Sequence, residues 1–573
     1  MSFEYDDDDS DSQLPPCERF SALIAQNSIS SYFQCTVCAL ECIPTTNIQF
    51  INSTLIPGIQ KILNLPNGAV IESMLTTLPD ICDLLVQHFP NEAVNIIVNS
   101  LIPDTWTTIE RFGEIFTDLC SETLASLLIL CPKDTFISSE LPIIQSHLTF
   151  KKKEVRIIIG HVLLFISNYF PCNEWFDQFY EFINVMASDS LGSVRALVPS
   201  IISLYSKSIH EEEQQSKLVG RFQLFCKDKS ILVRKSASES LVALSESVTE
   251  NIRLLSVLPS ANILLNDHVE AVRTVILRNL GPLISSIGHG VDSTLVNRFT
   301  SALTSTDSNV EFASAFAFPA VALALGKDRW CELKDAFDVA MLSREFRVRK
   351  TLSFGFVSFC SIVDENDMKT IVNGFLRDLP AIADGIIQNL HHILSLTKIE
   401  NIIFCLQDPT TKYNEWRIRL HVSQQCRYCI GIIDEPDLYP IAKELLTDKV
   451  AMVRKDAAIS YSLLMTDDDS CIHDLQEIAS DMSHHVRISA ADVLREVQNL
   501  SVIKKSMDIL RTMIEDEKVP NVRVAAVSAA VNIVERFKES DDTEATEVLD
   551  EVNKLLEFAK KDTDIDVAQQ LAN

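Results

Sequence analysis

One aliphatic residue recurs along this chain at an almost constant spacing. Seven such anchor residues between Val155 and Ile386 lie 38 or 39 residues apart. Each anchor follows a short polar stretch, and most are followed directly by arginine and then by small and apolar residues. A fixed period of about 40 residues is typical of a helical repeat array, in which no unit buries its apolar face alone and neighbouring units supply the core.

The period continues on both sides of this region with looser spacing. Its later anchors are Ile418, Val453, Val486, Val522 and Val567. Weaker forms of the pattern stand upstream at Ile29, Val70 and Ile109. The pattern therefore predicts fifteen repeats over residues 17–573. The acidic, proline-ended segment 1–16 before them has the composition of a disordered tail.

Each repeat is long enough for two helices and two short connections. In "DKSILVRKSASESLVAL" we expect Asp228 to cap the second helix and Val233 to begin its buried stripe. Arg234 is then placed to pair with an acidic residue of the next repeat, so that the repeats would share a ladder of charges. The alternative is that these charges form only a solvated rim. The predicted fold class is all-α, an α-α superhelix of about fifteen two-helix repeats.

Composition supports a helical, soluble class of protein. Glycine occurs only 14 times, which is few for a large sheet protein or a nucleotide-binding enzyme. The net charge of −29 repels phosphate backbones, so we expect no nucleic-acid partner. The run "VRIIIGHVLLFI" is too short to cross a bilayer and "FASAFAFPAVALALG" contains Pro319, so we expect no membrane span. The expected location is the cytoplasm, with the nucleus as a second location.

The chain carries no motif of a known catalytic or cofactor site. A phosphate-binding P-loop, HExxH, G-x-S-x-G and paired CxxC motifs are all missing, so we expect no enzymatic activity and no cofactor. Cysteines 35, 38 and 42 and the pair Cys426 and Cys429 have spacings that a metal site could use. Both groups lie in apolar helical patterns without a matching second half, which favours buried, reduced thiols and no metal site.

Tandem two-helix units of this length resemble HEAT repeats. Four stretches are similar to segments of the HEAT-repeat scaffold subunits of protein phosphatase 2A: "NEWRIRLHVSQQ", "LLTDKVAMVRKDAAISYSLL", "KVPNVRVAAVSAAVNIVERF" and "LLEFAKKDTDIDVAQQLA". This resemblance implies a non-catalytic scaffold, monomeric within a heterotrimer. Its last five repeats would hold a phosphatase catalytic subunit through the loops between paired helices, and its first seven or eight a regulatory B-type subunit.

The resemblance also implies where each partner would bind. The regulatory subunit would bind residues 17–331, with Asp189 and Asp228 as contacts, and the catalytic subunit would bind residues 400–573. Contacts with the catalytic subunit would come from Trp416, Arg417, Asp448, Met452, His484, Pro520 and Asn521. The alternative function is a nuclear transport receptor or another helical-repeat adaptor, since those proteins are also built from HEAT repeats.

Overall fold

The structure, a computed structural model, describes residues 14–167, 175–396, 402–515, 517–540 and 542–570. Most of the tail predicted to be disordered, residues 1–13, lies outside these ranges. Pro16 lies within them and begins the first helix, so the helical array starts one residue earlier than predicted. Within the described residues there is no β-strand, only an isolated bridge between Ile430 and Ile433, which confirms the all-α prediction.

The chain forms two compact units, Met1–Phe299 and Thr300–Asn573, and the division falls inside one helix. The helices that end before this division are α1 Pro16–Gln26, α2 Ile29–Cys42, α3 Ile48–Phe50, α4 Ile56–Leu63, α5 Gly68–His88, α6 Ala93–Ile96, α7 Ile102–Phe112, α8 Thr117–Ile129, α9 Lys133–Thr135, α10 Leu141–His147, α11 Lys153–Ile166, α12 Phe176–Ala187, α13 Gly192–Arg195, α14 Val198–Tyr205, α15 Glu212–Phe225, α16 Ile231–Ser247, α17 Glu250–Ile252, α18 Leu258–Leu265, α19 Glu270–Arg278 and α20 Leu280–Ile287.

Helix α21, Ser293–Leu303, contains the division. The helices of the second unit are α22 Ser308–Leu325, α23 Lys334–Ala340, α24 Phe346–Phe359, α25 Glu365–Arg377, α26 Ala383–Ile387, α27 Leu390–Leu396, α28 Pro409–Lys412, α29 Trp416–Tyr428, α30 Glu435–Leu445, α31 Ala451–Leu464, α32 Asp469–Ala479, α33 His484–Glu496, α34 Leu500–Lys505, α35 Met507–Glu515, α36 Pro520–Phe537, α37 Thr543–Ala559 and α38 Ile565–Gln569. Short 3-10 turns follow or join some of these helices: Ile43–Thr45, Ser206–Ser208, Gly288–Gly290, Lys327–Glu332, Cys360–Ile362 and Ile402–Cys405.

Four helices of the first unit contain a π-helical turn directly before a proline-bearing segment. These turns are Ile51–Leu55, Ile97–Leu101, Phe136–Glu140 and Arg253–Val257. In each case proline is the second residue of the helix that follows. Proline has no N–H and its ring crowds the preceding turn, so a wider turn at that point keeps the helix continuous. Joined across these four turns, the 38 α-helices of the described residues become 34, a few more than the thirty that fifteen two-helix repeats predict, because some helices are also broken by short turns.

The anchors occupy one position in the repeat. In twelve of the thirteen second helices that carry an anchor at their start, the anchor is the third residue; Ile386, the exception, is the fourth residue of α26. All of these anchors are buried, with exposed fractions between 0% and 8%. The predicted buried stripe is therefore confirmed. Two upstream assignments were wrong: Ile29 is the first residue of α2 and 58% exposed, and Ile109 lies inside the first helix of its repeat.

Small residues after the anchor bring successive second helices close together. Helix α31 packs on α29 and on α33. Ala457 and Ala458 of α31 are fully buried, and the Ser460 hydroxyl donates a hydrogen bond of 2.7 Å to the Ser423 carbonyl of α29. The same kind of contact joins α16 to α14, where Ser203 Oγ donates to the Ser240 carbonyl at 2.9 Å. Successive repeats thus share a core through their second helices.

Among the described residues, one helix, α22, has the length and apolarity of a membrane-crossing helix. Val310 and Phe318 on one side of it are buried in the core of the second unit, where α22 packs on α24. A core helix of a soluble protein passes the same test of length and composition.

Candidate protein-binding ridge

In seven repeats the arginine that follows the anchor reaches across to an acidic residue of the next repeat. Arg234 donates from Nε to Asp267 Oδ2 at 2.6 Å and from Nη2 to Oδ1 at 3.1 Å. Its Nη1 donates to the Asp228 carbonyl at 2.8 Å. Asp267 Oδ1 also accepts the backbone N–H of Val269 at 2.8 Å. One arginine therefore ties the loop before its own helix to the same loop of the following repeat.

This arrangement repeats along both units, and we call it the Arg–acid ladder. Its pairs include Arg156–Asp189, Arg195–Asp228 and Arg234–Asp267 in the first unit, and Arg349–Asp378, Arg419–Asp448, Arg487–Glu517 and Arg523–Asp562 in the second. In most of these pairs both side chains are largely buried. The ladder prediction is confirmed, and the solvated-rim alternative is wrong for these pairs.

The predicted capping role of the ladder acids was wrong in detail. Asp228 Oδ1 accepts the N–H of Ser230, two residues later and still in the loop, at 2.7 Å. Asp448 makes the same bond to Val450 at 2.8 Å. Such a bond closes an Asx turn and does not cap the first turn of the helix. Asp307 does cap its helix, since it accepts from Asn309 and Val310 of α22.

The ladder lowers the pKa of its carboxyl groups. Hydrogen bonds from Arg195 hold the pKa of Asp228 below its usual value, and those from Arg523 do the same for Asp562, although burial acts in the opposite direction. At Asp267 burial acts to raise the pKa, but the bonds from Arg234 and from the backbone outweigh it and the pKa is lowered. These groups are therefore held as carboxylates at neutral pH.

Three of the residues expected to contact partners belong to this ladder. The side chains of Asp448, Asp189 and Asp228 are 1%, 7% and 14% exposed, and each is held by an arginine. Their contact with a partner stays untested, but the structure gives these carboxylates an internal role. We therefore remove them from the surface that a partner could bind through side chains.

The remaining predicted residues lie on the first two positions of second helices in the second unit. Trp416 and Arg417 begin α29, Ala451 and Met452 begin α31, His484 and His485 begin α33, and Pro520 and Asn521 begin α36. We call this set the helix-start ridge. Because the buried anchor follows two positions after the first residue of each helix, these side chains point away from the core. The ladder pair Arg419–Asp448 joins the loop before α29 to the loop before α31. The pair Arg487–Glu517 joins the loop before α33 to the loop before α36 in the same way.

Trp416 is partly exposed at the start of α29, and the Arg417 guanidinium lies 5.0 Å from the centre of its indole ring. Arg417 is exposed, while Ile418 and Arg419 after it are buried. The ladder bonds of Arg419 fix the loop that carries the tryptophan. The result is a rigid aromatic surface with a positive charge beside it, a combination common at binding hot spots.

The other ridge positions are open to different degrees. Met452 is 57% exposed and Asn521 is exposed, while His484 and Pro520 are partly exposed. The rings of His484 and His485 lie 3.9 Å apart, and the charge of His484 lowers the pKa of His485.

Sequence reasoning missed two exposed residues of the same surface. Met482, in the loop before α33, is fully exposed at 100%. Ile565, the first residue of α38, is 70% exposed and occupies the position that Trp416 has in α29. Ile565 could have been identified from the sequence, because this residue precedes the anchor Val567 by two positions, as Trp416 precedes Ile418.

In the first unit the equivalent positions of α16 carry Ile231 and Leu232, which are 48% and 51% exposed. They stand beside an open groove of about 740 Å³ between neighbouring loops. Its lining includes Lys227, Lys229 and His268, together with the ladder pair Arg234–Asp267. The first unit thus presents an apolar and basic surface at the same register, next to the predicted Asp228.

The described part of the chain holds no cluster of three or more His, Cys, Asp or Glu side chains that could bind a metal ion. Burial raises the pKa of the Cys35 and Cys429 thiols to about 12, so these two candidate ligands are held protonated. Cysteines 38 and 42 are buried beside Cys35 in α2, where hydrogen bonds with Cys42 and Arg19 lower the pKa of Cys38 to about 6. The predicted buried thiols are observed.

Comparison with solved structures identifies the fold. The chain is similar to importin β, with a TM-score of 0.57 at 12% sequence identity, over 98% of this chain and 80% of that one. It is similar to the same extent to the karyopherin Kap95p, over 98% of this chain and 83% of that one. These proteins are HEAT-repeat solenoids, and the chain has their all-helical repeat fold. No protein-family profile matches the chain.

Comparison with characterised sequences gives a different kind of relative. A segment of the chain is 30% identical over 171 residues to the regulatory subunit 1 of serine/threonine-protein phosphatase 4 from human, mouse and rat. The matched segment spans 28% of this chain and 18% of that protein. The similarity therefore covers one part of a longer phosphatase regulator.

Proposed function

We propose that this chain is a non-catalytic scaffold that holds the catalytic subunit of a serine/threonine protein phosphatase on its second unit. The observation that carries the proposal is the partial similarity to a phosphatase 4 regulatory subunit, at 30% identity, on a HEAT-repeat fold. The resemblance of four segments to the phosphatase 2A scaffold subunits points to the same class of partner.

The helix-start ridge supports the location of this contact. The partly exposed Trp416 and the exposed Arg417, Met452 and Asn521 stand in one register, at the starts of helices whose loops the ladder fixes. A preformed surface loses little conformational entropy when a partner binds. Its large apolar side chains would be buried against a partner, and the cation beside them would fix the orientation of that partner.

Two finer features belong to the same proposal. The catalytic subunit is that of phosphatase 2A or of phosphatase 4, since the family resemblance favours the first and the partial relative favours the second. A regulatory B-type subunit would bind the first unit, where Ile231, Leu232 and the groove beside them occupy the matching register. The scaffold itself would be a cytoplasmic, monomeric member of this heterotrimer without activity of its own.

A binding experiment with the full chain tests the proposal. The tagged chain is incubated separately with purified catalytic subunits of phosphatases 2A and 4 and with a Ran-type GTPase, and the bound protein is measured. We expect one phosphatase subunit to be retained and the GTPase to be absent. A phosphopeptide assay of the chain alone should show no phosphate release.

Retention of neither phosphatase would overturn the proposal. Retention of the GTPase alone would favour a transport receptor, the alternative that the shared HEAT fold allows. The fold by itself does not separate these functions, because importin β and this chain share only 12% sequence identity.

A further inference from the structure

Helices α22 and α24 expose a row of large apolar side chains that the helix-start ridge does not include. Phe316 and Leu323 of α22 are 62% and 48% exposed, and Phe346 and Phe354 of α24 are 46% and 40% exposed. Phe312 of α22 is partly exposed. The spacing of four, seven and eight residues places each set on one side of its helix. We call these five residues the phenylalanine face.

The two rows form one surface because the helices are in close contact. A side chain at Gly355 of α24 would meet the Pro319 ring of α22, since an added Cβ would lie 2.5 Å from Pro319 Cγ. The Arg347 guanidinium of α24 lies 5.0 Å from the centre of the Phe312 ring of α22. The phenylalanine face is therefore continuous across both helices.

These exposed rings are not part of the core. The inner side of the same helices supplies Phe318, Phe356 and Phe359, which are fully buried with Phe337 and Trp330 in a cluster of edge-on and tilted rings. The core of this region is thus already filled by other aromatic side chains. Isolated exposed apolar residues are common, but a contiguous patch on two helices marks a contact surface.

Basic groups border the phenylalanine face, although the chain as a whole carries a net charge of −29. The stretch "SREFRVRK" over residues 343–350 has four basic residues and one acidic residue. Arg347 donates to the neutral side chains of Ser308 and Asn309, both at 3.0 Å, and its Nε lies 4.0 Å from the Glu345 carboxylate. Lys350 lies 6.0 Å from the Phe346 ring and 5.9 Å from the Phe354 ring and pairs with Asp384.

We infer that the phenylalanine face docks an amphipathic helix of a partner protein whose apolar side is bordered by carboxylates. The row from Phe312 to Leu323 extends about 17 Å along α22, which matches about three turns of helix. Bulky apolar side chains of the partner would cover the exposed rings, and its carboxylates would approach Arg347 and Lys350. Phe346 and Arg347 occupy in α24 the positions that Trp416 and Arg417 occupy in α29, but no residue of the phenylalanine face belongs to the set named as the helix-start ridge, so the inference does not depend on the identity of the phosphatase.

A membrane with anionic lipids would also present apolar groups bordered by negative charge, but the net charge of the chain disfavours binding to a membrane. An extended anionic surface interacts with the whole chain, whose net charge of −29 repels it. A short helix experiences mainly the groups within about 8 Å, the screening length at physiological salt. The Arg347 guanidinium lies within that distance of the Phe312 ring, so a docked helix would experience its positive charge, whereas the charge of Lys350 is largely offset by Asp384 at 2.7 Å.

Two designed peptides test the inference with the full chain. Both are 16-residue amphipathic helices with the same Leu and Phe stripe; one carries Glu beside the stripe and the other Lys. Binding is measured by fluorescence anisotropy. We expect the Glu peptide to bind at least tenfold more tightly than the Lys peptide, and this difference to shrink as salt is added.

Substitutions then locate the contact. Phe316→Glu should weaken binding of the Glu peptide at least tenfold, and Phe354→Ser serves as a second variant if the first changes the circular dichroism spectrum. The matched control is Phe558→Glu, at a phenylalanine of α37 that is 50% exposed outside this face. Arg347→Glu should reverse the preference toward the Lys peptide.

Three outcomes would overturn the inference: no binding of the Glu peptide below about 100 µM, equal binding of both peptides, or equal loss in Phe316→Glu and Phe558→Glu. Sedimentation with vesicles of phosphatidylcholine and 30% phosphatidylserine supplies the competing outcome. If wild type sediments with these vesicles and Phe316→Glu does not, the face binds lipid and the docking of a protein helix is wrong.

Discussion

Asp267 shows what a single ladder residue does for the array. Its carboxylate receives two bonds from Arg234 of the preceding repeat and one from the N–H of Val269, and its carbonyl accepts Nη1 of Arg273. The side chains of Arg234 and Asp267 are 7% and 5% exposed. A buried ion pair of this kind is strongly destabilised when one partner is removed, because the other charge then stays buried without compensation.

Removal of this carboxylate should therefore be costly. We expect Asp267→Ala to lower the free energy of unfolding by about 3 kcal/mol, measured by urea unfolding followed by circular dichroism. Glu213→Ala is the control, because Glu213 pairs with Lys217 on the surface of α15 with both side chains at least half exposed; no measurable loss is expected there. Equal effects of the two substitutions would show that the ladder pair is no stronger than a surface pair.

For single residues, the sequence predicted that an arginine pairs with an acidic residue of the next repeat, but not which of the expected contact residues this pairing would bury. The positions of Arg234 and of the acid in the next repeat follow from the period. Whether Asp448 faces a partner or an arginine depends on the distance between consecutive loops, which no local pattern gives. Trp416, which precedes a buried anchor by two residues, is partly exposed as that position predicts, and Arg417 and Met452, which the resemblance implied, are exposed.

The second helix of each repeat is the element that the sequence describes best. Its third residue, the anchor, lies at the contact with neighbouring helices, and Val233, Val272, Val453 and Val522 are each 0% exposed. The small residues that follow allow α29, α31 and α33 to pack closely. For these helices, the spacing of the anchors in the sequence, the burial of the anchors and the close packing of neighbouring helices all identify the same inner face.

Shortening an anchor should destabilise its repeat. We expect Val233→Ala and Val453→Ala each to cost about 1–3 kcal/mol, the range for removal of buried methyl groups. Thermal unfolding followed by circular dichroism measures the loss. Leu232→Ala is the matched control, since Leu232 precedes the anchor and is 51% exposed. A larger loss in the control than in Val233→Ala would mean that the wrong face was assigned to the core.

The first helices and the N-terminal repeats were harder to predict. Ile29 and Ile109 match the anchor pattern by type and spacing, yet one is the exposed first residue of α2 and the other lies in a first helix. No arginine follows either residue directly, so the signal that marks the ladder is missing there. The first helices of these N-terminal repeats also contain π-helical turns before Pro57, Pro103 and Pro142.

For the whole molecule, the ladder links stability to pH. The folded-state pKa values of Asp228, Asp267, Glu517 and Asp562 are lowered. A carboxyl group of lowered pKa stabilises the fold above its unfolded value of about 4. That contribution is lost as the pH falls through the folded-state pKa.

Acid should accordingly weaken wild type more than a variant that lacks one ladder charge. We expect the urea midpoint of wild type to fall between pH 5 and pH 3.5, and that of Asp228→Asn to fall less while starting lower at pH 7. Urea titrations at pH 7, 5, 4 and 3.5 measure both. Parallel pH profiles for the two proteins would contradict the role given to this carboxylate.

The fold of the whole chain could be predicted from the period because repetition itself is the fold. The partner could not, because the period reports the buried core pattern, while a partner contacts exposed residues, and Met482 and Ile565 are exposed without being part of that pattern. The phenylalanine face was also hidden in the sequence. In "VEFASAFAF" buried and exposed phenylalanines alternate closely, and only the structure separates Phe318 from Phe316.

The central claim is that the helix-start ridge of the second unit binds a phosphatase catalytic subunit. The most direct measurement is the dissociation constant of that complex, by isothermal titration calorimetry, for wild type, Trp416→Ala and the control Phe558→Ala. We expect Trp416→Ala to weaken binding by about 2 kcal/mol or more, roughly thirtyfold, with unchanged helix content, and Phe558→Ala to bind like wild type. Binding of Trp416→Ala as tight as that of wild type would contradict the assignment of the ridge.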